Sequence, residues 1–134
     1  TIIGRGAYVE NQCTVGRFVK IETMVYITAY SEVGDRAFVA PMVTTSNDNY
    51  VGRDQERFKH FKGVTIKRGG RVGANTTTLP GAVVEEDALV AAGSILKGTA
   101  PARQIVLGQP AKALREVDER QLLDNQDWPD VKSK

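Results

Sequence analysis

The sequence predicts an all-β chain wound into a parallel β-helix of triangular section. Three observations carry that prediction. An aliphatic residue returns every six positions, a small or modest side chain sits four residues after it, and glycine recurs directly behind it. The first register runs Ile3, Val9, Val15, Ile21, Ile27, Val33 and Val39. The second runs Ile66, Val72, Thr78, Val84, Val90 and Leu96, with Thr78 its one polar member. The small set begins Ala7, Cys13, Val19 and ends Ala88, Ser94, Ala100, and the glycines are Gly4, Gly16, Gly34 and Gly73.

A six-residue period matches neither the ~3.6-residue helical repeat nor the two-residue alternation of a long strand. It fits a strand of a few residues followed by a corner. Three such units close one triangular coil, with the aliphatic residue inside. Glycine and asparagine suit the left-handed backbone that tight corners require. Thirteen hexads predict a little over four coils. The competing architecture, a β-sandwich with evenly spaced turns, would need thirteen such coincidences in two unbroken registers.

Taken in order, residues 1–100 form the helical domain and 101–134 a C-terminal segment. Thr1 already lies inside the repeat, which leaves open whether native residues precede it. The interval from Val39 to Ile66 is four and a half hexads, so the two registers are offset. The segment from about 45 to 62 is therefore a loop thrown out from a corner. It opens with Val43-Thr44-Thr45-Ser46-Asn47 and is dense in charge. Long loops in small domains often carry function. After Leu96, residues 97–115 hold Lys97, Arg103, Lys112 and Arg115 and no acid. Residues 117–125 are expected as a short helix, with Leu122 and Leu123 against a coil and Trp128-Pro129 as its stop. Such a segment would cover exposed strand edges.

Composition narrows the function. At 134 residues the chain is one domain. Eighteen basic against 16 acidic residues give +2, with no dense basic run to argue for nucleic acid. One Cys and one His exclude an internal disulfide and a zinc finger. No apolar run reaches membrane-spanning length and no signal peptide opens the chain, so a cytoplasmic protein is expected.

Two stretches go beyond a generic repeat: residues 72–117, with "VGANTTTLPG", "AAGS" and "GQPAK" in that order, and "TTSN" at 44–47. They resemble the hexapeptide-repeat acyltransferases that use acetyl-CoA. The closest resemblance is to the nucleotide-amino-sugar N-acetyltransferases of bacterial surface-glycan synthesis, including those acting on UDP-2,3-diamino sugar acids. The resemblance implies a left-handed β-helix, a homotrimer, and a site shared between neighbouring chains. Covering flat prism walls is also a physical reason to oligomerise. It implies acetyl-CoA as co-substrate, a nucleotide-linked amino sugar as acceptor, and no metal. A carbonic anhydrase on the same prism would need three histidines per site, which one His per chain does not supply.

Many O-acetyltransferases of this kind carry "TATH" at the position of Thr44 to Asn47, and the histidine takes a proton from a sugar hydroxyl. General-base help is worth roughly 10²–10⁴-fold to such a weak nucleophile. Asn47 cannot supply it, but it donates and accepts hydrogen bonds. An amine is already nucleophilic and chiefly needs positioning. Asn47 thus points to N-acetylation, or else to a plain turn residue at the loop's start. His60, the chain's one imidazole, could act as base or be an idle loop residue. Arg53, Arg57 and Lys59 could meet a diphosphate or sugar carboxylate, or simply be solvated. Gly73, Ala74, Ala91, Ala92 and Gly93 would let the pantetheine arm approach, or are corner residues the prism needs anyway. Lys97 and Lys112 are favoured, by the resemblance, for the donor's phosphates. The oxyanion of the tetrahedral intermediate would want a backbone amide, near Ala74. Relatives often carry Trp where Arg71 stands, and "NTT" at Asn75 is expected to be a turn rather than a glycosylation site. The rival readings are an O-acetyltransferase with His60 as base and an inert assembly module.

Overall fold

In the computed structural model, which describes residues 1–132, the chain is a left-handed parallel β-helix. Fifteen two-residue strands, from Ile2–Ile3 to Thr99–Ala100, each form one side of the triangle. A first wall starts at Ile2–Ile3, a second at Tyr8–Val9 and a third at Thr14–Val15. In the regular coils each strand pairs with the one three hexads on, so that Ile3 faces Ile21 and Ile21 faces Val39. The second residue of each strand points inward. Ile21, Ile27, Val39, Ile66, Val72, Val84, Val90 and Leu96 are fully buried and form one continuous core with the small residues between them. Burying each such side chain contributes ~1.5–3 kcal/mol. In the first coil Ile2, Ile3 and Tyr8 are exposed.

Fifteen strands make five coils, and Gln104–Gly108 begins a sixth, more than thirteen hexads implied. Thr45 holds an inward position with a polar side chain, so the hydrophobic pattern passed it over. Further on, the chain takes a shortened corner at Lys97-Gly98. Ala100 pairs with Val84 across less than the usual three hexads, which ends the six-residue count.

The loop accounts for the register offset. Val33 pairs with Ile66, five and a half hexads on rather than three, so the excursion inserts two and a half hexads. Its start moves relative to the sequence-based boundary, because Thr45 still belongs to a strand. At that residue the ladder opens. Tyr26 and Thr44 remain paired, whereas Thr45 Oγ1 accepts from the Thr28 N–H at 2.8 Å and donates to the Tyr26 carbonyl at 3.0 Å. One coil below, Thr78 Oγ1 is buried with no partner among the described residues. Two threonines at equivalent positions therefore have opposite energetics. Thr78→Val removes an unsatisfied hydroxyl and is expected to stabilise by ~1 kcal/mol, while Thr45→Val strands a backbone N–H and C=O and destabilises by ~1–3 kcal/mol. Urea unfolding of the two variants checks the signs.

The corners differ from expectation. The glycines behind the aliphatic residue are there for close approach, not for left-handed backbone. A Cβ on Gly34 would lie 2.9 Å from the Arg68 nitrogen in the next coil. The left-handed residues stand two places further on, and after Gly6 at the first corner they are bulky through the next six: Gln12, Phe18, Met24, Tyr30, Arg36 and Met42, all with φ between 56° and 66°. Later corners use Gly69, Asn75, Gly81, Asp87 and Gly93.

The C-terminal segment also departs from the sequence reading. Most of the acid-free stretch lies in an antiparallel hairpin, Gln104–Gly108 against Ala111–Glu116, whose turn carries a cis Gln109–Pro110 bond. The single helix expected over 117–125 is instead two 3-10 turns, Glu119–Gln121 and Leu123–Asn125. Asp118 caps the first by accepting the Arg120 N–H. Leu123 is buried, whereas Leu122 is only partly covered. Trp128-Pro129 opens a short α-helix, Pro129–Lys132, rather than closing one. Proline has no N–H to lose and a preset φ, so it suits a first helical turn. The segment climbs back over the first wall, tied by Leu123 N–H to Asp87, Arg68 to Asp124, and Arg36 to Asp130.

Candidate functional site at the extruded loop

Each corner of the prism is a column of stacked turns. Between the second and third walls, Ala29-Tyr30 sits above Asn47 and Lys62, the two ends of the loop within one corner, and Gly81 sits below Lys62. The loop leaves and re-enters in this column. The Asn47 carbonyl accepts the Lys62 N–H at 3.1 Å, closing the neck, and Asn47 Nδ2 donates to the Ala29 carbonyl at 3.3 Å. Asn47 is therefore a neck residue, half-buried, and its Oδ1 has no donor among the described residues.

Asp48 organises the loop from inside. Its carboxylate accepts the Tyr50 and Gly52 N–H groups, both at 2.9 Å, and Arg57 Nε at 2.8 Å. Arg57 in turn lies over the Phe58 and Phe61 rings, and Phe61 stacks on Tyr30 of the corner. Desolvation opposes ionisation of Asp48, but the Gly52 N–H, Arg57 and the Tyr50 N–H outweigh it and hold its pKa below the ordinary aspartate value. A depressed carboxylate pKa adds stability that is complete above the unfolded value and is lost only as pH falls through the lower folded one. The Tyr50 and Gly52 amides should accordingly stay protected from hydrogen exchange at pH ~5 and lose protection only below the ordinary aspartate range of about 3.9. Loss of that protection between pH ~5 and ~7 would contradict this account of the loop.

Between the loop and the second wall lies a cleft of about 540 Å³, lined by Tyr26, Thr28, Thr45, Ser46, Asn47, Asp48, Asn49, Val51, Gly52, Arg57, Leu79 and Pro80. Of the residues proposed from sequence, Asn47 and Arg57 meet in it. Arg57 spends its charge on Asp48. His60 is not in this lining; its side chain is 57% exposed, its ring stacks with Tyr50, and its Nε2 lies 3.9 Å from Glu56. Lys59 pairs with Glu56 at 3.0 Å, and Arg53 is exposed on the loop. The cleft residues that sequence reasoning missed are Tyr26, Thr28, Leu79 and Pro80, which come from neighbouring coils and carry no local signal. Asp48 could have been found: an aspartate followed by a turn ending in Gly52 is the pattern of a side chain that accepts the next backbone N–H groups.

The proposed donor residues lie on another edge, the corner between the first and second walls. There Met24, Met42, Asn75 and Gly93 each donate to the corner above: Arg5, Thr23, Pro41 and Ala74. Ala74, Ala92 and Gly93 line this edge, with Gly73 and Ala91 just before it. The two glycines are unlike. A Cβ on Gly73 would meet Ala92 N at 2.5 Å, so its size serves coil stacking. A Cβ on Gly93 would meet nothing within 4 Å, and its φ is +73°. The hairpin turn extends the same edge, with Gln109 Nε2 donating to the Gly93 carbonyl at 2.9 Å. Lys112, exposed and opposite Leu107 in the hairpin, follows that turn, while Lys97 belongs to the loop's corner instead. Within one chain the donor edge and the loop cleft thus flank opposite sides of the second wall. The outward residues of that wall, Tyr8, Tyr26, Thr44, Thr77 and Ile95, are uncharged. Among the described residues no cluster of three His, Cys, Asp or Glu could hold a metal ion, and no helix is long and apolar enough to cross a membrane.

No protein-family model matches the chain. It is 30% identical over 103 residues to WbbJ of Escherichia coli K12, named for an O-acetyl transferase role in lipopolysaccharide biosynthesis; the match covers 77% of this chain and 50% of WbbJ. It is 37% identical over 62 residues to the carnitine operon protein CaiE of Salmonella agona, covering 45% of this chain and 31% of CaiE. The chain thus spans a third to a half of the length of these relatives. Among solved structures it superposes on a maltose O-acetyltransferase from Clostridium difficile with TM-score 0.76 and 18% identity, over 87% of this chain and 66% of that one. A hexapeptide-repeat acetyltransferase from Vibrio cholerae, complexed with acetyl-CoA, gives 0.68 and 21%, over 87% and 71%. AntD, an N-acyltransferase from Bacillus cereus solved with dTDP-4-amino-4,6-dideoxyglucose and coenzyme A, gives 0.53 and 20%, over 88% and 74%. At these identities the likeness is one of fold, and the chain is a hexapeptide-repeat left-handed β-helix of the kind on which those acetyltransferases are built.

Proposed function

We propose that the protein is an acetyl-CoA-dependent N-acetyltransferase whose acceptor is the amino group of a nucleotide-linked sugar, working in the cytoplasm as a homotrimer. The observation that carries the reading is the content of the cleft: Asn47 lines it and no imidazole does. An amine acceptor fits that equipment. Its lone pair attacks the thioester carbonyl, the tetrahedral intermediate collapses with cleavage of the C–S bond, and the proton lost by nitrogen ends on the departing thiolate or in water. Asn47 Oδ1 would hold the amine N–H, and a corner amide near Ala74 would meet the oxyanion.

The separation of donor edge and cleft across the second wall supports a site completed by a neighbour. In that assembly the donor would run along Gly93, Ala92 and Ala74, with Lys112 toward its phosphates. Arg53, exposed on the loop, would meet the acceptor's diphosphate, and Lys59 would join it by leaving its exposed pairing with Glu56. The structure of AntD with a dTDP-amino sugar and coenzyme A makes such a ligand pair compatible with the fold.

The second reading is O-acetylation with His60 as base, supported by the names of WbbJ and the maltose enzyme. Thiol release from acetyl-CoA, followed over UDP- and dTDP-linked amino sugars and over hydroxyl sugars, separates the two. Release with an amine, little changed in His60→Ala, supports N-acetylation. Release with hydroxyl sugars alone, abolished by His60→Ala, overturns it. Sedimentation of the same preparation reads the oligomeric state.

A further inference from the structure

A second cavity, of about 370 Å³, lies between the first wall and the C-terminal segment and shares no lining residue with the loop cleft. Wall and corner contribute Phe18, Lys20, Arg36, Phe38, Arg71 and Asp87; the segment contributes Arg120, Gln121, Leu123, Gln126 and Trp128. The size suits a small molecule. Four cations face one carboxylate here, and their commitments differ. Arg36 is paired with Asp130 and sandwiched between Phe18 and Trp128. Arg120 is paired with Asp118 at 3.0 Å. Arg71 has no ion pair among the described residues. Its Nη1 donates to Gln121 Oε1 at 3.1 Å, and its Nη2 is buried with no acceptor. Asp87, the one acid in the lining, gives Oδ1 to the Leu123 N–H.

A buried guanidinium nitrogen without an acceptor is rare and costly, and it is the kind of group a ligand oxyanion satisfies. We propose that this cavity binds a small organic anion, with its carboxylate or phosphate on Arg71 and its apolar body against Phe38 and Trp128. Burial lowers the pKa of Arg71, an effect that Asp87 only partly offsets, and burial raises the pKa of Asp87. Both directions mark a pocket partly withdrawn from water, where either charge is costly until an opposite charge meets it. Lys20, exposed at the rim, adds a second cation for a dianion. The bound molecule would touch both the wall and the segment that covers it, so its presence would hold that segment down.

The protein contains a single tryptophan, Trp128, and it lines the cavity, so its emission reports the site directly. Benzoate, inorganic phosphate and neutral benzamide are titrated into the protein at constant ionic strength. A saturable change with benzoate or phosphate, absent with benzamide, supports the proposal, and which of the two responds names the oxyanion. Arg71→Gln should weaken that affinity tenfold or more. Arg5→Gln, which removes an exposed cation outside the cavity, should leave it within a few-fold. No saturation into the millimolar range, an equal response to benzamide, or full affinity in Arg71→Gln overturns the site. The readout is independent of acetyl transfer and so stands or falls apart from it.

Discussion

Asn47→Ala is expected to lower kcat/KM for an amine acceptor by roughly 10- to 100-fold, the worth of one well-placed hydrogen bond in a desolvated site. The fold should barely notice. The neck is closed by the Asn47 backbone carbonyl, which alanine retains, and the side chain's own bond to Ala29 is long, at 3.3 Å. If Oδ1 aligns the amine, the loss falls mainly on kcat, because alignment matters most as the C–N bond forms. A variant that melts earlier but turns over at the normal rate would reduce Asn47 to a tether. With that outcome N-acetylation would lose its main support.

How far the sequence spoke depends on what each feature rests on. The hexad pattern showed the prism because every inward residue obeys the same constraint and the constraint repeats. It stopped at Thr45, where a hydroxyl replaces a methyl for a local hydrogen-bonding reason, and at Lys97-Gly98, where the corner shortens. It misread the tail because a 3-10 turn and a short helix share the same charged and leucine-containing composition. Only Asp118, Leu123 and Pro129 set their ends, and those act through caps and contacts made in three dimensions. The site divides likewise. The position of Asn47 was legible from the break in the rhythm and the "TTSN" resemblance, and that of the small-residue edge from its fixed places in the repeat. The cleft's remaining wall was not, since Tyr26, Thr28, Leu79 and Pro80 are brought there by stacking. Arg71 stood out only as an oddity in its motif. Its burial under the C-terminal segment depends on a return path that no period encodes.

The small residues of the donor edge can be divided experimentally into those that build the prism and those that would face the donor. Gly73→Ala should destabilise by ~1–3 kcal/mol, as overpacking does, because its Cβ would be driven into the backbone of Ala92 at 2.5 Å and the coils would have to part. At this chain length that corresponds to a fall in Tm on the order of 5–10 °C. Any loss of acetyl-CoA turnover in this variant would follow from the distortion and say little about contact with the donor. Gly93 is the informative position. Its φ of +73° is one that asparagine tolerates, and the space above it is open. Gly93→Asn should therefore fold with nearly unchanged Tm while its side chain stands on the edge where the pantetheine arm would run. A raised KM for acetyl-CoA at constant stability would assign that edge to the donor. An unchanged KM would move the donor off it, and would leave Gly93 explained by its left-handed corner alone.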